Sequence, residues 1–137
     1  MESASFVRLS VARVGRLATT GPDGRPHIVP CCFVLDGDVL YSAIDAKPKT
    51  SLRLRRISNI RTNPFAALLV DNYEEDWSLL WWIRVDGGAR VLETGAEFEG
   101  AIDRLVDKYD QYQADRPTGP VIAIDIVSVR TWSSTLP

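Results

Sequence analysis

The chain of 137 residues has one histidine, His27, and two cysteines, the adjacent Cys31 and Cys32. Neighbouring strand residues point to opposite faces, so the two thiols make a poor disulfide and a poor metal pair. One imidazole beside two such thiols does not make a standard zinc site, and it leaves a Ser-His-Asp triad without support. No metal is therefore expected. A P-loop and a Gly-x-Gly-x-x-Gly turn are both missing. No apolar run approaches the roughly 18 residues of a membrane span. The opening Met1-Glu2-Ser3-Ala4-Ser5-Phe6 has neither the basic nor the apolar region of a secretory leader. With reduced cysteines, the expected location is cytoplasmic. There is no internal repeat, low-complexity tract or linker, so one domain over residues 1–137 is the expectation.

What is present is the composition of a globular protein: 45% hydrophobic and 25% charged residues, too apolar for a disordered chain. The net charge of −2 argues against a general nucleic-acid binder. That average hides a segregation. Residues 47 to 61 carry six basic side chains (Lys47, Lys49, Arg53, Arg55, Arg56, Arg61) and no acid. The remainder holds 10 basic against 18 acidic residues. A positive segment on an acidic body suits an anion.

Phe6, Leu9, Ala12 and Arg13 fall at helical spacing and predict a helix over about 3–14, stopped at Gly15. Residues 16–20 read as a strand, Gly21-Pro22-Asp23-Gly24 as a type I or II turn, and His27 to Leu35 as the returning strand. Asp36-Gly37 signals a tight hairpin into a third strand, Val39 to Ala43. Residues 50–63 predict a helix capped by Thr50 or Ser51 and ended before Asn63-Pro64. A strand over 65–70 follows, then a long strand over 79–92 with a bulge or bend at Gly87-Gly88. Residues 96–109 predict a helix, 110–119 a polar loop, and Val121 to Thr131 the last strand, its side chains alternating between faces. Six strands and three helices, strand-dominated and not alternating, fit a small antiparallel barrel with peripheral helices.

Lys47, Lys49 and Thr50 lie between a strand end and a helix start, where free N–H groups and the helix dipole favour a phosphate. Ser42, at the preceding strand end, adds a hydroxyl. A solvated basic helix face remains open as the other reading. Trp77, Trp81, Trp82 and Trp132 are a heavy tryptophan load. Trp81 and Trp82 alternate, one toward the core and the other toward a subunit interface or ring-stacking site. His27, following Arg25-Pro26, reads as a surface or hairpin residue. Nothing marks two carboxylates as an acid/base couple, so a cofactor carrying its own reactivity suits the inventory best.

Taken in order, Gly15-Arg16-Leu17-Ala18-Thr19, Gly24-Arg25-Pro26-His27, Leu40-Tyr41-Ser42, Lys47-Pro48-Lys49, Arg61-Thr62-Asn63-Pro64 and Val85-Asp86-Gly87-Gly88-Ala89 resemble the pyridoxamine 5′-phosphate oxidase-like split β-barrel superfamily. Within it, the sequence is most similar to actinobacterial oxidoreductases that use the deazaflavin coenzyme F420. The resemblance covers residues 5 to 133. It implies a mainly β fold, a six-stranded antiparallel split barrel of the flavin mononucleotide (FMN)-binding type, and a homodimer with two cofactor sites between subunits. It places the cofactor phosphate on Lys47, Pro48, Lys49 and Thr50, beside Ser42 and Ala43. It runs the backbone of Val29, Pro30 and Cys31 along the flavin-like ring, near Trp77 of the partner subunit. The implied reaction is hydride transfer between coenzyme F420 and a small electron-poor substrate. The alternatives are an FMN-dependent oxidoreductase and a non-catalytic cofactor or haem binder. No catalytic side chain is assigned; Tyr41, Tyr73 or an ordered water could each supply a proton. The Trp132-Ser133-Ser134 end has no counterpart of the arginine-histidine motif of the FMN oxidases, which counts against pyridoxamine phosphate oxidation.

Overall fold

The structure is a computed structural model that describes residues 1–44 and 51–134, residues 51–54 by their backbone alone. The elements run α1 (Ser3–Val11), β1 (Gly15–Thr20), β2 (Pro26–Cys31), β3 (Val34–Asp36), β4 (Val39–Ala43), α2 (Ser51–Thr62), β5 (Phe65–Asn72), a 3-10 turn (Trp77–Leu79), β6 (Trp81–Leu92), α3 (Ala96–Lys108), α4 (Asp110–Ala114) and β7 (Val121–Ser133). All strands join one antiparallel sheet in the order β2-β1-β5-β6-β7-β4-β3. The mainly β class and the peripheral helices match the sequence reading.

Among the described residues seven strands replace the expected six, because His27 to Leu35 is not one strand. Phe33 is fully buried. Its N–H donates to Tyr109 Oη at 3.0 Å, and its carbonyl accepts from Lys108 Nζ at 2.8 Å. Both backbone groups thus leave the ladder for the end of α3, and the chain turns between β2 and β3. The tight turns follow their chemistry. Gly24 N–H donates to Gly21 O at 3.0 Å, and Gly24 alone in that turn has positive φ, which selects type I over type II. Gly37 (φ 62) and Asp38 join β3 to β4 with the φ pattern of a type II′ turn.

β6 starts at Trp81 because Asp76 accepts from both the N–H and the hydroxyl of Ser78, winding residues 77–79 into a 3-10 turn. The expected irregularity at Gly87 is a register shift between Asp86 and Gly87. A Cβ at Gly87 would fall 2.1 Å from Asp125 O, so only glycine fits there. Part of the expected 110–119 loop is helical, with Tyr112 packed edge-on against Tyr109.

Two apolar layers share the sheet. Leu17, Phe33, Leu68, Val85 and Ile122 pack with Leu9 of α1 and Ile57 and Ile60 of α2. On the reverse face of β4 and β7, Tyr41, Ala43, Val121 and Ala123 pack against Phe98, Ile102 and Leu105 of α3. The alternation expected for β7 holds, Ile122 and Ile124 facing the first layer and Val121 and Ala123 the second, so Val121 to Ile124 are all buried. Among the described residues no helix is long and apolar enough to cross a membrane.

Candidate functional site

The helix α2 is docked on β1 by apolar and polar contacts together. Ile57 and Ile60 enter the core. Between them, the buried Asn59 donates from Nδ2 to Thr19 Oγ1 at 3.1 Å. Gly21 leaves room for that amide, since a Cβ there would approach Asn59 Oδ1 to 2.9 Å. A buried hydrogen bond of this kind fixes the rotation of the helix as well as its position.

The pairing of β1 with β2 sets Thr19 opposite His27, Leu17 opposite Val29 and Gly15 opposite Cys31. Thr19 and Leu17 face inward, so His27, Val29 and Cys31 share the side covered by α2, while Ile28 and Pro30 face outward. His27 is a hairpin residue, paired with Thr19, and is half-buried beneath α2 rather than on the surface. Burial lowers its imidazole below the ordinary value, and the positive charges of Arg55 and Arg56 lower it further. The Cys31 thiol is pushed up by burial, against opposing effects from Ser42 and Arg56.

Two buried nitrogens, His27 Nδ1 and Arg56 Nε, have no hydrogen-bond partner. Elsewhere Arg16 pairs with Asp71, Arg84 with Asp86, and Arg90 with both Glu97 and Asp125. No carboxylate among the described residues pairs with Arg55 or Arg56. The place where Arg55 and Arg56 of α2 approach His27 of β2 is therefore cationic and holds two unsatisfied nitrogens, a setting that suits an anionic group. In charge, the residues present suit the anionic part of a flavin-type cofactor.

Lys47, Pro48, Lys49 and Thr50 lie outside the described residues. Ser42 is buried and donates from Oγ to Cys32 O at 2.7 Å, tying the end of β4 to the corner after β2. Ala43 is buried beside it. Val29 and Cys31 line the α2 side, whereas Pro30 faces the opposite surface. Trp77 lies in the β5–β6 connection, 66% exposed, its Nε1 donating to Tyr73 Oη at 3.4 Å. No three His, Cys, Asp or Glu side chains among the described residues group to hold a metal ion. The role of Arg56 and His27 as neighbours was hidden in the sequence. The usable signal was the two-residue period that puts His27 on the same face as Val29 and Cys31.

The outward face of the sheet carries exposed apolar side chains beside the Arg16–Asp71 and Arg84–Asp86 pairs. Ile28, Phe65 and Val127 are 64%, 69% and 81% exposed. Trp82 stands opposite Trp132, and both line a hollow of about 410 Å³ with Leu69 and Tyr73. Trp81 packs against the core and lies under the Arg8 guanidinium at 5.0 Å.

The family model for pyridoxamine 5′-phosphate oxidase matches residues 4–133. The chain belongs to that family. Solved structures agree on the fold. A conserved hypothetical protein of Mycobacterium tuberculosis superposes with a TM-score of 0.78 at 20% identity, covering 100% of this chain and 89% of that one. A FAD-binding protein of Mesorhizobium loti gives 0.72 at 22% identity, covering 96% and 94%. The haem storage protein of Vibrio cholerae gives 0.70 at 15% identity, covering 95% and 91%. In sequence, a 5a,11a-dehydrotetracycline/5a,11a-dehydrooxytetracycline reductase of Streptomyces rimosus is 33% identical over 82 residues, 59% of this chain and 56% of that reductase. The chain thus matches about half the length of that relative.

Proposed function

We propose that this family member is an oxidoreductase that takes coenzyme F420 and exchanges a hydride with a small electron-poor organic substrate. The observation that carries the reading is the pair of unsatisfied nitrogens, His27 Nδ1 and Arg56 Nε, in the cationic setting of Arg55 and Arg56, which suits the phosphate-bearing part of a flavin-like cofactor. The partial similarity to a reductase of dehydro compounds supports redox chemistry on this fold.

In this reading Lys47, Lys49 and Thr50 hold the cofactor phosphate with Ser42 and Ala43 beside them, and the backbone of Val29 to Cys31 follows the ring. The exposed apolar sheet face meets a second copy, and Trp77 of the partner subunit closes the ring pocket. A bound reduced deazaflavin supplies the hydride. The chain's own contribution is placement and exclusion of water, without a covalent nucleophile.

Titrating the purified protein with oxidised and reduced coenzyme F420 and with FMN tests this. Coenzyme F420 is expected to bind more tightly, and reduced cofactor to lose its hydride to an enone, quinone or nitro acceptor. Lys49→Ala is expected to weaken binding by about 1.5–3 kcal/mol, the range for a charge-assisted hydrogen bond. Tighter FMN binding would transfer the site to FMN. Bound cofactor that never turns over with any acceptor would make the protein a carrier.

A further inference from the structure

On the outward face, where β5, β6 and β7 run side by side, Trp82 and Trp132 stay out of both apolar layers. Asp71 of β5, Trp82 of β6 and Trp132 of β7 stand in one cross-strand row. Directly opposite residues of antiparallel strands keep their Cβ atoms about 5 Å apart, so the two indoles lie side by side as one wide apolar patch. With Leu69, Tyr73 and Leu80 they line the hollow of about 410 Å³, within the roughly 300–1,000 Å³ of small-molecule sites. We propose that this hollow binds a flat, uncharged organic molecule of fused rings bearing a ring carbonyl, and that Trp82 and Trp132 select it.

Shape, charge and hydrogen bonding each narrow the occupant. Trp132 is 45% exposed, and an indole face gains most from offset stacking on another ring, which favours a planar conjugated molecule over a saturated one. The charged residues of the lining are already paired: Arg16 Nη1 donates to Asp71 Oδ1 at 3.0 Å, and Arg84 Nε to Asp86 Oδ2 at 3.0 Å. An ionic occupant thus meets no unpaired counter-charge in the lining. Arg130, two residues before Trp132 on β7, lies outside that lining. Among the described tryptophans only Trp77 donates its indole N–H within the protein, to Tyr73 Oη at 3.4 Å. The indole N–H groups of Trp82 and Trp132 are left as donors, and a ring carbonyl is their complementary acceptor.

The inference deepens the oxidoreductase reading and rests on it only for calling the occupant a substrate. Tyr73, in the lining, is bonded to Trp77, the residue which that reading sends to the cofactor ring of a second copy. A conjugated ring carbonyl compound is electron-poor, the class of acceptor that reading requires.

The four tryptophans give four indole N–H signals in a ¹H–¹⁵N spectrum, and Trp82→Phe and Trp132→Phe assign the two of interest. The full chain is titrated with three probes. Flavone is an uncharged fused-ring ketone, cyclohex-2-enone lacks the flat ring system, and anthraquinone-2-sulfonate is flat but anionic. Flavone is expected to move the Trp82 and Trp132 signals saturably and to bind more tightly than either other probe. Trp82→Ala and Trp132→Ala are each expected to weaken flavone binding about three- to tenfold, the range of one aromatic contact. Leu69→Lys keeps both indoles but sets a charge in the hollow, and is expected to weaken flavone by at least as much. Far-UV circular dichroism checks that each variant folds.

Indole signals that stay in place up to the solubility limit of flavone would overturn the inference, as would unchanged affinity in all three variants. Equal or tighter binding of either comparison probe would overturn the stated class. Signals that move with protein concentration and not with flavone would give the hollow to a second copy and overturn it too. Flavone binding by a protein that takes neither coenzyme F420 nor FMN would keep the hollow as a binding site and remove the flavin reading. Coenzyme F420 binding with unmoved indole signals under flavone would keep the flavin reading and remove this inference.

Discussion

Lys108 carries its ammonium into a half-buried place under the corner between β2 and β3. Its Nζ donates to Phe33 O at 2.8 Å and lies 4.1 Å from the Phe33 ring centroid. Burial there, with Arg13 nearby, brings its pKa down to about 8. An unfolded lysine titrates near 10.4. Between pH 8 and 10 the folded chain has released this proton while the unfolded chain still holds it. The unfolded state then binds more protons, so the contribution of Lys108 makes stability rise with pH across that window. Lys108→Met is expected to abolish the rise, measured as the difference in denaturation midpoint between the two proteins at pH 8 and pH 10. Tyr109, raised to about 12 mainly by burial, acts in the opposite sense above pH 10, which sets the upper end of the measurement. A parallel dependence in both proteins would remove Lys108 as its source. On the second layer, Glu97 accepts from Tyr41 Oη at 2.7 Å and from two nitrogens of Arg90, which also pairs with Asp125. The Arg90 and Tyr41 hydrogen bonds hold the Glu97 carboxyl down to about 2.

At the scale of elements, glycine placement is where local sequence and packing agree most tightly. Gly87 sits at the register shift of β6 with the β7 backbone against the space a Cβ would need. Gly87→Ala is expected to cost about 1–3 kcal/mol, the range for forcing extra volume into a packed site, read from urea unfolding. A cost near zero would mean that β6 and β7 can part there freely. This bulge was legible because two glycines inside a strand pattern have few other uses. So were the two tight turns and the helices α2 and α3, each set by local periodicity and punctuation. The split between β2 and β3 was not, because its cause lies 76 residues away in Tyr109. The four consecutive buried residues that open β7 were also hidden, since a sequence period cannot report a helix laid on the far side of the sheet. The candidate site was half legible. The charge of residues 47–61 identified a basic segment, but the neighbour relation of Arg56 and His27 needed the docking of α2 on β1.

At the scale of the whole molecule, the outward sheet face exposes large apolar side chains, with Phe65 and Val127 at 69% and 81% exposure. Exposed apolar area of that kind commonly marks an association surface. The homodimer proposed above uses it, so Phe65→Glu paired with Val127→Glu is expected to halve the solution mass by light scattering without altering circular dichroism. A dimer that survives both changes would place the contact elsewhere. Inside one chain, β4 and the first half of β7 stand between the two apolar layers and take part in both. Ile122 and Ile124 point into one layer, Val121 and Ala123 into the other. Neither layer can open while the other keeps its wall, so local fluctuations stop at these strands. The amide protons of Val121 to Ile124 then exchange with solvent only when the entire fold comes apart, and their exchange rates measure its global stability.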